Sequence, residues 1–284
     1  MLKLRIITAL CLIPLVLAAI FLLPLPFFAL FATGVFLLAG REWGRFIDVR
    51  KANVVMVSLA LVLIALMASV PIAQIWAAGL HPWVAAVLYG GALWWLLALG
   101  LVLAYPRSAA LWRDHLWLKA LFALMSLIPF FWALLVLRSY QYEQNPYFGA
   151  WLLLFVMSLV WAADTGAYFV GKAMGRHKLC PRVSPGKTIE GMLGGVAAAS
   201  LLALVVTQAL GLPWRESGVL LLASVVAVFA SVLGDLVESM FKREAGIKDS
   251  GQILPGHGGI MDRIDSLTAA LPVFIVVVQL MGRG

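Results

Sequence analysis

Residues 218–241 read GVLLLASVVAVFASVLGDLVESMF. No charged side chain occurs before Asp235, and the run matches the roughly 20 apolar residues that a helix needs to cross about 30 Å of hydrocarbon. Its far end raises a question. Asp235 and Glu238 are three apart and so share a helix face. At 1.5 Å per residue, Asp235 lies about 10 Å inside the end marked by Lys242 and Arg243. An ionised group at that depth is costly unless it meets water, a cation or a partner. The stretch predicts a membrane fold with a polar site inside it.

The rest of the chain has the same character. Of its 284 residues 63% are apolar and only 12% charged, with a mean hydropathy of +1.01, whereas about a quarter of a soluble domain is charged. Apolar runs recur from end to end, so the chain reads as one membrane domain, residues 1–284, and as an all-α polytopic integral membrane protein. The formal charge of +8 does not point to nucleic acid, because the basic residues are scattered between apolar runs and form no continuous patch. A window of about 20 residues places nine spans near 6–23, 25–40, 54–72, 83–104, 118–138, 149–171, 188–210, 218–241 and 266–281, the second and last being short.

Alternate connections must lie on opposite faces, which tests the count. Of 21 Lys and Arg residues, only Arg138, Arg215 and Arg283 fall on one face and the other 18 on the opposite one. The positive-inside rule makes the crowded face cytoplasmic, with the N-terminus inside and the C-terminus outside. The N-terminal run has the basic start of a signal peptide, but no small-residue cleavage site follows, so it reads as a retained first span. Cys11 and Cys180 are too few and too dispersed for a disulfide framework.

Nine of the 13 acidic residues lie between Asp164 and Asp265, so residues 1–148 read as mainly hydrophobic scaffold and 149–284 as the part that carries chemistry. Asp164 sits about two turns before Lys172, hence roughly 12 Å inside the end of its span. Asp262 and Asp265 are three apart where the last helix begins, a position that favours acids for dipole reasons alone. Span parity brings Asp164, Asp235, Glu238, Asp262 and Asp265 toward the basic face, which predicts a polar cavity opening to the cytoplasmic side. Oxygen ligands without His or Cys suit a hard cation such as Mg²⁺, which takes one or two carboxylates plus substrate phosphates. His81, His115 and His177 read as interfacial or loop residues.

Phosphate binding is the natural counterpart. The loop after span six, residues 171–191, carries five basic residues and ends in Ser184, Pro185, Gly186, Lys187 and Thr188 before a helix. A helix N-terminus with a nearby lysine attracts anions. The loop is not a P-loop, since Pro181 stands where the upstream glycine belongs. Gly258 and Gly259 permit a tight turn whose backbone N–H groups can face an anion.

From Ser239 the chain reads SMFKREAGIKDSGQILPGHGGIMDRID. Ser239, Lys242, Arg243, Lys248, Asp249, Gly251, Pro255, His257, Gly258, Gly259, Asp262, Arg263 and Asp265 fall in register with a 27-residue signature, and the stretch resembles the phosphatidate cytidylyltransferases, also called CDP-diacylglycerol synthases. Upstream, Asp164, Ala167, Tyr168 and Gly171, with the Ser-Pro-x-Lys-Thr stretch closed by Glu190 and Gly191, are similar to the same family. Many relatives carry Lys where this chain has Gly186. The specific resemblance covers about residues 160–270; earlier spans agree only in being hydrophobic.

The resemblance implies a reaction in which CTP and phosphatidic acid give CDP-diacylglycerol and pyrophosphate, for phospholipid synthesis at the cytoplasmic face of the cell (inner) membrane. It implies Asp235 and Asp262 as metal ligands, with Mg²⁺ and a second, monovalent cation such as K⁺, and Asp249 and Asp265 in support. Lys187, Lys242, Arg243, Lys248 and Arg263 fall to substrate phosphates, Ser184 and Thr188 are hydroxyl partners, and His257 orients a phosphate or a carboxylate. Membrane lipids surround such a protein, and a homodimer is in keeping with the resemblance. Two rivals remain open: a CTP-dependent lipid kinase, which would transfer the γ-phosphate to an alcohol, and a transporter whose buried acids bind a permeating cation.

Overall fold

The computed structural model describes residues 2–282, so Arg283 of the topology count lies outside the described residues. The helices are α1 (Leu2–Leu22), α2 (Leu25–Ile47), α3 (Ala52–Ser69), α4 (Pro82–Leu103), α5 (Leu116–Ser139), α6 (Phe148–Met174), α7 (Ile189–Ala209), α8 (Trp214–Glu244) and α9 (Met261–Met281). Those from α2 to α9 are long and apolar enough to cross a membrane; the apolar part of α1, Leu10–Leu22, is shorter. The fold is that of an all-α polytopic membrane protein, with one addition. Between α6 and α7 the basic loop forms an antiparallel hairpin, β1 (Lys178–Cys180) and β2 (Ser184–Thr188).

The helix bounds correct the sequence reading in one place. The second span does not stop at residue 40: α2 continues through Arg41, Glu42 and Arg45 to Ile47, and Glu42 is buried. Hydropathy ends the span at the first charges, but a carboxylate with hydrogen-bond donors can remain inside a helix pair. The last helix begins at Met261, so Asp262 and Asp265 lie in its first turns, where the sequence places them.

The chain divides into two compact units. The first comprises the chain up to Val87, Ala110–Leu154 and Phe241–Ile264. Here α2 and α3 form a tight hairpin, its turn held by Asp48, whose Oδ1 accepts the Arg50 N–H at 2.9 Å. Gly44 lets the two helices touch, since a Cβ there would stand 2.6 Å from the Cα of Ala52. Phe241 is fully buried in an aromatic cluster, with ring centroids 5.1 Å from Trp43, 4.7 Å from Trp112 and 5.7 Å from Phe122. This packing anchors the end of α8. At the far end of α5, buried Arg138 donates to the carbonyls of Ile20 (2.7 Å), Pro146 (2.9 Å) and Leu23 (3.2 Å), and its guanidinium lies over the Tyr142 ring.

The second unit comprises Leu88–Ala109, Phe155–Met240 and the chain from Asp265 on. Small residues recur every four positions on α6 (Ala163, Ala167, Gly171) and on α7 (Gly191, Gly195, Ala199). Without a hydrophobic driving force between helices in lipid, such rows permit the close backbone approach that holds them together. A Cβ on Gly195 would stand 2.6 Å from the Ala163 carbonyl oxygen, and one on Gly191 3.0 Å from that of Ala167. Gly234 plays the same part where α8 meets α9, against the carbonyl of Asp265 and the Ala269 methyl.

Candidate active site

Each unit contains a lysine–aspartate pair with its own surroundings. In the second unit, Lys187 from β2 reaches Asp235 on α8, Nζ to Oδ2 2.7 Å, both side chains about 70% covered (27% and 31% exposed). Ser239, one turn on, donates to Asp235 Oδ1 at 3.2 Å. The hairpin holds Lys187 in place because β2 runs straight into α7. Thr188 caps that helix, its Oγ1 accepting the Gly191 N–H at 3.1 Å. Glu190 accepts the backbone N–H groups of Arg176 and His177 and pairs with His177 Nδ1 at 2.6 Å. His177, read from sequence as a loop residue without a partner, is thus the clamp between the hairpin and α7.

A cavity of about 410 Å³ opens beside this pair, lined by Asp164, Tyr168, Lys172, Lys187 and Thr188 over an apolar floor that includes Val228 and Val232. It therefore combines two lysines, an acid and a phenol with hydrocarbon. Ser184 is half-buried in β2, where it pairs with Cys180 of β1.

In the first unit, α8 ends and the signature loop begins. Lys242 Nζ lies 2.9 Å from Asp262 Oδ1, a pair only 14% and 7% exposed. Asp262 also accepts the N–H of Ser250 (3.0 Å) and of Gly259 (2.7 Å). The anion that the Gly258–Gly259 turn faces is therefore the carboxylate of Asp262. Gly258 has φ +82°, a conformation that glycine adopts without penalty. Lys248, Asp249, Arg243 and Arg263 are exposed. His257 is half-buried, with its Nδ1 covered and lacking a hydrogen-bond partner among the described residues. Asp265 starts the second unit's share of α9, where its Oδ1 accepts the Ser266 N–H at 2.7 Å.

Sequence reasoning missed the residue around which this loop closes. Glu42 on α2, 2% exposed, accepts hydrogen bonds from Ser250 Oγ (3.0 Å), Ile260 N–H (3.1 Å) and Met261 N–H (2.7 Å). Arg45, one turn further along α2, donates to the Ser250 carbonyl at 2.9 Å. The available signal was the spacing of Glu42 and Arg45, three apart and so on one helix face, but the hydropathy drop made the segment look like a loop.

The donor set can be tested against a hard cation. Among the described residues no group of three or more His, Cys, Asp and Glu side chains is arranged to hold a metal. Mg²⁺ does not require one, since it keeps several waters and uses one or two carboxylates with substrate phosphates. Asp235 fits, being an oxygen ligand that is partly open and held, among the described residues, by one hydroxyl and one ammonium. A carboxylate has about four acceptor positions, and three donors already make four hydrogen bonds to Asp262, so a cation would take the position that Lys242 gives up.

Carboxylates paired with lysines, on helices built to span a membrane and beside exposed Arg and Lys side chains, define a membrane-embedded protein equipped to handle anionic groups. The chain belongs to the cytidylyltransferase family, whose model matches residues 3–281. It is 44% identical over 281 residues to the phosphatidate cytidylyltransferase of Haemophilus influenzae, covering 96% of this chain and 97% of that one. It is also 44% identical over 284 residues to the protein of that name from Pseudomonas aeruginosa, covering 100% and 99%. The corresponding Bacillus subtilis protein is 44% identical over 133 residues, 47% of this chain and 49% of that one.

Proposed function

We propose that this protein transfers the cytidylyl group of CTP to phosphatidate, forming CDP-diacylglycerol and pyrophosphate for phospholipid synthesis. The observation that carries the reading is the 239–265 signature, whose charged residues are in register and whose loop holds Asp262 on Lys242. Membership of the family and two full-length relatives bearing the phosphatidate cytidylyltransferase name support it.

The nucleophile needs no general base, because a phosphate monoester is already anionic at pH 7. Its oxygen attacks the α-phosphorus of CTP in line, the bond to the bridging oxygen breaks, and pyrophosphate leaves. Asp235 and Asp262 would serve as Mg²⁺ ligands, with a second, monovalent cation such as K⁺, and the chemistry supplied there would be neutralisation of charge on the transferring and leaving phosphates. Lys187 and Lys242 now neutralise those same carboxylates at 2.7 and 2.9 Å, so substrate phosphates draw the ammonium groups away from their aspartates. Arg243, Lys248 and Arg263 are exposed and meet the triphosphate from the water side, and His257, whose covered Nδ1 has no hydrogen-bond partner among the described residues, orients a phosphate or a carboxylate. Ser184 and Thr188 supply hydroxyls, the Gly258–Gly259 turn shapes the site, and Asp249 and Asp265 support the ligands.

The same reading puts the basic loops and the site on the cytoplasmic side of the cell (inner) membrane, with the C-terminus outside, as the 18-to-3 division of Lys and Arg favours. The protein works there as a homodimer among membrane lipids, with its chemistry carried by residues 149–284.

The test is to incubate the protein in detergent with phosphatidic acid, Mg²⁺ and CTP labelled at the α-phosphorus. Mg²⁺-dependent label in lipid, with pyrophosphate released, is the expected result. Label entering lipid only from the γ-position would make it a kinase instead, and no label in lipid from well-folded protein would overturn the assignment.

A further inference from the structure

Glu42 lies 208 residues before Ser250 and outside every motif that marks the site, yet three donors of the signature loop converge on its two oxygens. Two of them are the N–H groups of Ile260 and Met261, where α9 begins, so the carboxylate sits at the positive end of that helix. The glycines of the loop are shaped around it. A Cβ on Gly251 would overlap the Glu42 carboxylate, and a Cβ on Gly259 would overlap both that carboxylate and Ser250 Oγ. Neither glycine has a positive φ, so space rather than backbone conformation excludes a side chain at both.

Contacts run on from Glu42 to the proposed ligand. Ser250 donates its hydroxyl to Glu42 and its backbone N–H to Asp262, while Arg45 holds its carbonyl. Asp262 in turn receives Gly259 N–H and Lys242 Nζ.

We infer that Glu42 is a positioning residue for the proposed cytidylyl transfer, acting through Ser250 and the start of α9 to fix the orientation of Asp262. It rests on that reaction only for its consequence in turnover; the positioning of the loop can be measured without it. Glutamine cannot replace the carboxylate, because its NH₂ would face either Ile260 N–H or the pair Met261 N–H and Ser250 Oγ.

Four substitutions test the inference: Glu42→Gln, Ser250→Ala, Gly251→Ala and, as a background for the last, Glu42→Ala. Hydrogen–deuterium exchange without substrates is expected to quicken about tenfold or more in residues 249–261 of Glu42→Gln while α5 keeps its wild-type protection, because opening is local. The Mg²⁺ concentration for half-maximal turnover should rise about 10- to 100-fold, the usual effect of losing a residue that orients a ligand, and high Mg²⁺ should restore part of the rate. A loss of general stability would instead quicken exchange throughout the chain. Ser250→Ala should act in the same direction but more weakly. Gly251→Ala should match Glu42→Gln, yet add much less in a Glu42→Ala background, where the overlap with the carboxylate is gone and only the 3.1 Å approach to the Gly259 Cα is left.

Wild-type exchange in the loop of Glu42→Gln, or faster exchange spread evenly over the chain, would overturn the inference. If Glu42→Gln does not fold, Ser250→Ala and Gly251→Ala, which keep Glu42, decide it by the same exchange measurement. Local loop opening in a protein whose wild type transfers no cytidylyl group would leave Glu42 its role and remove the proposed reaction.

Discussion

Replacing Asp235 by Asn separates a catalytic from a structural role for the Lys187–Asp235 pair. The pair is close, 2.7 Å, but each side chain keeps 27–31% of its exposure. A pair so hydrated contributes on the order of 1 kcal/mol or less to stability. For a chain of this size that lowers the apparent Tm by no more than about 4 °C. A ligand to the proposed cation contributes several kcal/mol to the transition state. A loss of about 3 kcal/mol is a fall of roughly 100-fold in rate, at 1.4 kcal/mol per tenfold. The assay pairs initial rates of label transfer with thermal unfolding followed by the fluorescence of the 11 tryptophans. Lys187→Met provides the contrast: it should also lose rate, but without raising the Mg²⁺ requirement, since it removes a phosphate partner and leaves the carboxylate. The reasoning fails if Asp235→Asn keeps more than about a tenth of the wild-type rate, or if its Tm falls by roughly 8 °C or more, which would make the pair a structural bridge.

Arg138→Leu strips three carbonyls of their buried donor. With each unpaired group costing about 1–3 kcal/mol and some relief from removing a buried charge, a net loss of about 3 kcal/mol is expected, read as a fall in Tm of roughly 6–12 °C with turnover retained at low temperature. Gly195→Ala puts a methyl against the Ala163 carbonyl, which belongs to the backbone and cannot turn aside. Forcing α6 and α7 apart should cost about 1–3 kcal/mol, visible in the same unfolding scans. Chelation by EDTA should abolish label transfer and added Mg²⁺ should restore it; if transfer survives chelation, Asp235 and Asp262 have some other task.

The sequence read well wherever one physical rule acts alone. Hydropathy found the helices from α3 to α9 because a bilayer demands long apolar runs, and the signature was recognisable because its charges and glycines keep fixed spacing. It failed where two distant segments share a task. Glu42 ended a span by its charge, although its donors, 208 to 219 residues away, make its burial tolerable. The hairpin of Lys178–Cys180 and Ser184–Thr188 was hidden for a similar reason: its stretches are short, polar and rich in Pro and Gly, and Glu190 with His177 fastens it to α7. For Gly259 the expected anion was external, whereas the structure supplies one three residues on.

The long separation of Glu42 from its donors has a consequence for biogenesis. Met261 follows Glu42 by 219 residues, and at about 5–20 residues per second α2 exists for roughly 10–45 s before the α9 donors are made. Throughout that interval the carboxylate must stay hydrated, because burying it without donors would be prohibitive. The cytosol-side turn of α2 in the proposed orientation thus stays wet during insertion and dries only when the last helix docks. Assembly of the proposed site is thereby timed to the end of translation, and a nascent chain stalled before α9 presents a solvated acid rather than a partly working enzyme.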